Sequence, residues 1–110
     1  MVALSRGSRV LDLGVGGTAA VDWSSAEVFI KTFSSNITVT FTSKQDKVIT
    51  LIITNTSGGD IFMTFPGGII NSADIITRVG AGRTVIYTFA NSNTNTYCLY
   101  PVRSEARYGV

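Results

Sequence analysis

Three aspartates are the residues best suited by type to perform chemistry in this chain. Asp22, Asp60 and Asp74 could supply a general acid and a general base, as paired carboxylates do in glycoside hydrolysis. Each lies at the end of a predicted strand or in a predicted turn, where aspartate commonly bonds its own backbone. The sequence therefore favours turn-forming roles for all three, and it predicts no catalytic residue.

Three loop-like segments resemble ligand-binding loops only in part. Residues 80–84 (Gly-Ala-Gly-Arg-Thr) lack the lysine and the following helix of a phosphate-binding loop, and residues 14–17 (Gly-Val-Gly-Gly) have no strand–turn–helix context. Residues 91–95 offer neutral oxygens for calcium but no carboxylate. We therefore expect connecting segments at these places, with no metal and no cofactor.

The composition excludes several classes of mechanism. The 110 residues include no histidine and one cysteine. These counts rule out histidine-dependent nucleophiles and metal ligands, an internal disulfide and a thiolate zinc site. The single cysteine, Cys98, lies within a predicted strand and is expected to be a small buried hydrophobe. The chain is therefore not expected to be an enzyme.

The charge is unevenly distributed along the chain. Residues 18–100 carry five basic and five acidic side chains, so the whole formal charge of +2 comes from the two ends. Only 15% of the residues are charged and 45% are hydrophobic. A neutral, apolar centre is poorly suited to a solitary monomer. The charge pattern therefore favours a chain that works within an assembly.

The elements that must position these residues are predicted to be strands. Val, Ile, Thr and aromatic residues dominate the sequence, and they favour β-structure. We predict an all-β fold: an antiparallel β-sandwich or jelly-roll-like barrel of seven to eight short strands with extended N- and C-terminal arms. The predicted strands are residues 19–23, 28–33, 36–42, 48–54, 61–65, 84–89 and 96–100, with one further short strand open within 69–79.

The predicted organisation is arm, domain, arm. Residues 1–17 have no sustained hydrophobic period and form the N-terminal arm, residues 18–100 form the β-sandwich domain, and residues 101–110 form the C-terminal arm. The connections between strands are too short for helical crossovers, so the strands are expected to pair as antiparallel hairpins.

Several predicted strands are apolar on both faces, which a monomeric sandwich would avoid on its solvent side. Such faces mark either a central strand covered by loops or a contact between subunits. Trp23 is expected to be a core residue or an inter-subunit anchor. The candidates for an oligomer interface are Trp23, Val48, Ile52, Phe62 and Ile86.

Four arginines in the predicted arms are candidates for partner contacts: Arg6, Arg9, Arg103 and Arg107. They are offset by two acidic residues and lack the interleaved aromatic residues of single-strand nucleic-acid binders. Salt bridges to a neighbouring protein are therefore favoured over nucleic acid. The longest apolar run, residues 48–53, is too short to span a membrane. The N-terminal residues lack a secretion signal, so we expect synthesis in the cytoplasm.

The order of the strand motifs resembles a β-rich module of tailed-bacteriophage virion proteins. An Asp-Trp strand at 20–24 is followed by the strands at 36–41 (Asn-Ile-Thr-Val-Thr-Phe) and 48–53, and then by a strand that ends in Pro-Gly at 65–67. The resemblance covers roughly residues 19–100. It departs at the closing strand, which often carries tryptophan in such modules and has Thr-Tyr-Cys here at 96–98.

The resemblance implies a structural role. Such modules occur in capsid decoration proteins, tail fibres, spikes and baseplates, they often form trimers, and as a rule they are not catalytic. A single module with two arms is most similar to a capsid decoration, or cement, protein on the capsid exterior. The expected partners are further copies of the chain, as a homo-trimer or alternatively a dimer, and the major capsid protein or other virion proteins. The alternative is a tail fibre, spike or baseplate module that binds a host glycan.

Overall fold

The computed structural model describes residues 9–14, 16–70 and 77–105, the last six of these by their backbone alone. Every regular element in these ranges is a β-strand, and no helix occurs among them. The all-β prediction is confirmed. The nine strands are β1 (Val10–Asp12), β2 (Thr18–Asp22), β3 (Val28–Phe33), β4 (Ile37–Thr42), β5 (Lys47–Asn55), β6 (Ile61–Thr64), β7 (Arg78–Val79), β8 (Thr84–Ser92) and β9 (Asn95–Glu105).

The strands form two mixed sheets. The five-stranded sheet has the order β1-β3-β5-β8-β9, and the four-stranded sheet has the order β2-β4-β6-β7. The pairs β1–β3, β3–β5, β2–β4 and β4–β6 are parallel, whereas β5–β8, β6–β7 and β8–β9 are antiparallel. The prediction that all strands pair as antiparallel hairpins is therefore wrong.

The path of the chain explains how parallel pairs arise without helices. From β1 to β6 the chain alternates between the two sheets, so each strand returns to its own sheet after passing through the other one. Residues 13–27, for example, connect the parallel strands β1 and β3 and contain β2. A parallel connection needs a dozen or more residues, and here a strand of the opposite layer supplies them instead of a helix.

The sheets reach into both segments that the sequence predicts to be arms. Strand β1 lies within residues 1–17, and β9 continues through Pro101 to Glu105. The pairing of β9 with β8 is interrupted between Leu99 and Arg103, so Pro101 lies where no ladder hydrogen bond is required of it. The strand pairing is therefore not confined to residues 18–100. Residues 1–8 and 106–110 lie outside the described ranges.

Residues of both sheets contribute to one hydrophobic core. Val39 and Met63 from the four-stranded sheet and Phe29 and Leu51 from the five-stranded sheet belong to one buried cluster. A run of aromatic rings connects the layers, with centroid distances of 5.4 Å from Trp23 to Phe41, 5.2 Å from Phe41 to Phe89, 6.1 Å from Phe89 to Tyr87 and 5.0 Å from Tyr87 to Phe65. Alternation along each strand thus leaves the other face of each sheet outside the core.

A buried lysine ties β1 to the rest of its sheet. The Lys31 side chain is fully buried, and its Nζ donates to the carbonyl oxygens of Leu13 at 3.3 Å and Gly14 at 2.9 Å. Because burial disfavours the ammonium form, it lowers the pKa of Lys31. The two carbonyls compensate part of that cost and hold the segment after β1 against β3.

A buried asparagine joins the turns at the C-terminal end of β5. The Asn55 side chain donates to the carbonyls of Gly59 at 2.7 Å and Val79 at 2.9 Å, and its Oδ1 accepts from the Ser57 amide at 2.8 Å. The Asn55 carbonyl also accepts from the amide of Gly82, which has a φ of 73°. Glycine suits that left-handed conformation, so residues 80–82 form a turn, as the sequence predicts.

Candidate interaction surface

The outward face of the five-stranded sheet carries a transverse row of isoleucines. Ile30 on β3 pairs in register with Ile52 on β5, and Ile52 pairs with Ile86 on β8. Each of the three alternates with core residues along its own strand, and each is half-buried. Registered neighbours on one face lie about 5 Å apart, so these side chains form a continuous apolar strip, the isoleucine row.

Threonine and valine surround this row. The Thr54 and Thr84 hydroxyls are 2.9 Å apart across β5 and β8. We call the outward residues of β3, β5 and β8 the Ile-Thr face; they are Val28, Ile30, Thr32, Val48, Thr50, Ile52, Thr54, Thr84, Ile86, Thr88, Ala90 and Ser92. None of these residues carries a charge. A sheet face that is exposed to solvent commonly carries polar side chains, so the uncharged, isoleucine-centred Ile-Thr face has the composition of a contact surface.

The structure brings three of the five predicted interface residues together. Val48, Ile52 and Ile86 all lie on the Ile-Thr face, where Val48 is 52% exposed. Phe62 is 51% exposed, but it lies on β6 and therefore on the outer face of the other sheet. The prediction of Trp23 as an interface candidate is corrected by the structure. Its side chain is completely buried in the core, so it is not available to a partner.

Sequence reasoning missed three apolar residues on the outward side of this sheet. Ile30 is the first member of the isoleucine row, Val10 on β1 pairs with Val28, and Leu99 on β9 pairs with Thr88. Val10 and Leu99 are exposed. Strand 28–33 was predicted with correct bounds, and its alternation contained the signal for Ile30. No such signal existed for Val10, because three residues are too few to establish a period.

The arginines predicted to contact partners are described only in part. Arg9 is bound by its own chain: Nη2 lies 2.9 Å from Glu27 Oε2, and the Arg9 amide donates to Glu27 Oε1 at 2.8 Å. Arg103 holds the register position opposite Ile86 at the edge of the sheet. Arg6 and Arg107 lie outside the described residues. The contact with Glu27 helps to fix the start of β1 beside β3.

This contact predicts an acid-sensitive attachment of β1. The hydrogen bonds from Arg9, and a further one from Lys47, lower the pKa of Glu27 from its ordinary value of 4.5 to about 2. A lowered folded-state pKa gives stabilisation that is complete above pH 4.5 and is lost as the pH falls towards 2. The protection of the Val28 amide against hydrogen exchange, measured relative to the intrinsic exchange rate at the same pH, should fall in that window, because this amide donates to the Arg9 carbonyl. In Glu27→Gln this protection should be low already at neutral pH and should not fall further on acidification; a protection that still falls with acid as in the wild type would contradict this account.

The residues suggested for chemistry are engaged in local contacts. Asp22 Oδ1 accepts from the Ser24 amide at 3.0 Å and the Ser24 hydroxyl at 2.6 Å, which confirms its role in a turn. Asp60 lies 3.3 Å from Arg78, and Asp74 is outside the described residues. The Asn91 oxygen accepts from Thr96 at 2.9 Å. In the part of the chain that is described, no three His, Cys, Asp or Glu side chains cluster as metal ligands do.

Cys98 is buried in the core, as expected of a small hydrophobe. The described segments contain no helix of the length and apolarity needed to cross a membrane.

Comparison with known proteins gives no relative for this fold, since no family model, no curated protein and no solved structure matches the chain.

Proposed function

We propose that the chain is a structural protein of a tailed-bacteriophage virion, most specifically a capsid decoration protein that stabilises the head from outside. The observation that carries the proposal is the uncharged, partly exposed Ile-Thr face, because large apolar surfaces of this kind mark protein contacts. The resemblance of residues 19–100 to phage virion modules supports the choice of assembly. The proposed architecture is a β-sandwich, in which the two sheets share one core.

The proposed mechanism is mechanical bridging. The Ile-Thr face makes contacts between copies of the chain, with a trimer expected from the resemblance and a dimer as the alternative. The terminal segments, which carry Arg6, Arg103 and Arg107, contact the major capsid protein or a neighbouring copy. Individually weak contacts gain strength when several form in one assembly, because each later contact is intramolecular. No enzyme activity, cofactor, nucleic acid or membrane takes part.

Copy number in purified particles tests this proposal. Quantitative mass spectrometry of virions, calibrated against the major capsid protein of the same particles, should find the chain in hundreds of copies. Decoration requires many equivalent positions on the capsid lattice, whereas fibres, spikes and baseplates offer few. A handful of copies per particle would contradict the decoration role and favour a tail component.

The alternative to decoration is a receptor-binding tail module. Trp23 is not exposed for stacking on a host glycan, because its side chain is completely buried. No specific contact among the described residues favours glycan binding over assembly. A glycan array remains the discriminating measurement, since decoration predicts no binding and a receptor-binding module predicts selective binding.

A further inference from the structure

The isoleucine row ends in opposite charges at the two edges of the five-stranded sheet. By strand register, Asp12 on β1 pairs with Ile30, and Arg103 on β9 pairs with Ile86. The complete row is Asp12, Ile30, Ile52, Ile86 and Arg103, with one position from each strand. Its centre is Ile52, because β5 is the middle strand of the five. By register, the row therefore has three isoleucine positions at its centre and two residues of opposite charge, Asp12 and Arg103, at its ends, each two strands from β5.

From this symmetry we propose that the Ile-Thr face binds a second copy of the same chain, related by a two-fold axis parallel to β5, so that the assembly through this face is the dimer and not the trimer. That operation reverses the order of the strands across the interface. Ile52 then faces Ile52 of the second copy, Ile30 faces Ile86, and Asp12 comes opposite Arg103 at both edges. A two-fold axis perpendicular to the strands would instead oppose Asp12 to Asp12 and Arg103 to Arg103.

Charge complementarity identifies the second copy as the occupant of the face. An interface between identical subunits is closed when the same patch serves both partners. This patch satisfies that condition twice, since its isoleucine positions come opposite isoleucine positions and the register position of Asp12 comes opposite that of Arg103. Exposed apolar side chains on the same side of the sheet, Val10, Val48 and Leu99, extend the contact along and beyond the row. Other arrangements of the two faces, such as the one with the axis perpendicular to the strands, would place like charges opposite each other and are therefore disfavoured.

The positions on the face permit a crosslinking test of the axis. With the axis along β5, Ile52→Cys should crosslink to itself with a short bismaleimide. A mixture of Ile30→Cys and Ile86→Cys chains should give the crosslinked heterodimer, while Ile30→Cys alone should not. Thr38→Cys, exposed on the outer face of the four-stranded sheet, is the matched control and should remain uncrosslinked. The natural Cys98 is buried, and wild-type protein controls for its reaction.

Charge reversal tests the ends of the row. Asp12→Arg and Arg103→Asp should each weaken self-association about tenfold or more, because each places two pairs of like charges in the interface. The double variant should recover most of the wild-type association. Asp12 Oδ1 also accepts from the Gly14 amide at 2.8 Å, so Asp12→Asn serves as a variant that keeps an acceptor for this local bond. It should weaken association less than the reversal does.

The outcomes separate this inference from the proposed function on which it rests. Crosslinking of Ile52→Cys and of the Ile30/Ile86 mixture, together with rescue by the double charge reversal, would support the two-fold pairing. A wild-type monomer, a trimer with neither crosslink, or self-crosslinking of Ile30→Cys would overturn it. A monomer present in hundreds of copies per virion would leave the decoration role standing without the pairing. A two-fold dimer present in a handful of copies per virion would support the pairing and contradict the decoration role.

Discussion

Replacing Trp23 with alanine is expected to lower the free energy of unfolding by about 3–5 kcal/mol, the usual cost of deleting a large buried aromatic side chain. The indole is completely buried and meets Phe41 edge to face with a centroid distance of 5.4 Å. Phe41 in turn contacts Phe89 of the five-stranded sheet at 5.2 Å. The cavity would therefore open at the end of the aromatic run that connects the two sheets.

Trp23→Phe is the matched control for this prediction. The Trp23 Nε1 atom is buried and has no hydrogen-bond partner among the described residues, so phenylalanine forfeits no such bond. It keeps an aromatic ring against Phe41, and we expect a loss of less than about 1.5 kcal/mol, typical of moderate changes of shape in a core. Each variant removes the only tryptophan of the chain, so tryptophan fluorescence cannot follow unfolding. The free energy of unfolding of both variants is therefore measured by urea denaturation followed by circular dichroism. Equal losses for the two variants, or a loss below about 1 kcal/mol for alanine, would contradict the assigned role of the indole.

The local pattern of the sequence predicted the strands but could not predict their partners. Alternation in residues 36–42 and 84–89 identified β4 and β8, because one buried face leaves a period of two. The same alternation is produced by parallel and by antiparallel neighbours. The parallel pairs arise because successive strands change layers, and that choice depends on contacts distant in sequence. Strand β1 was missed because its three residues show no period.

The candidate surface was predictable where a strand is apolar on both faces. Val48, Ile52 and Ile86 were identified in this way, and all three lie on the Ile-Thr face. Phe62 satisfied the same criterion, but the sequence could not tell which sheet would contain its strand. Trp23 follows β2 directly, and its residue type suits a core as well as an interface. The row from Asp12 to Arg103 was invisible, since it depends on the register of five strands.

The second large effect is expected for Ile52→Lys on self-association. In the isolated chain this side chain points away from the core and is partly exposed, so a lysine there can stay solvated and the fold should be retained. In the paired state its ammonium would lie at the centre of an apolar contact, and desolvating an unpaired charge is costly. We expect the dissociation constant to rise at least about 100-fold, equivalent to about 2.7 kcal/mol.

The most direct test of the account is the mass of the protein in solution, measured by sedimentation equilibrium over a range of concentrations. Wild-type protein and Thr38→Lys, whose new charge lies on the exposed outer face of the four-stranded sheet, should both associate. Ile52→Lys should have the mass of one chain at the same concentrations, with a circular dichroism spectrum like that of the wild type. A wild-type protein that remains monomeric throughout, or an Ile52→Lys variant that associates as tightly as the wild type, would contradict the assignment of the Ile-Thr face as the assembly surface.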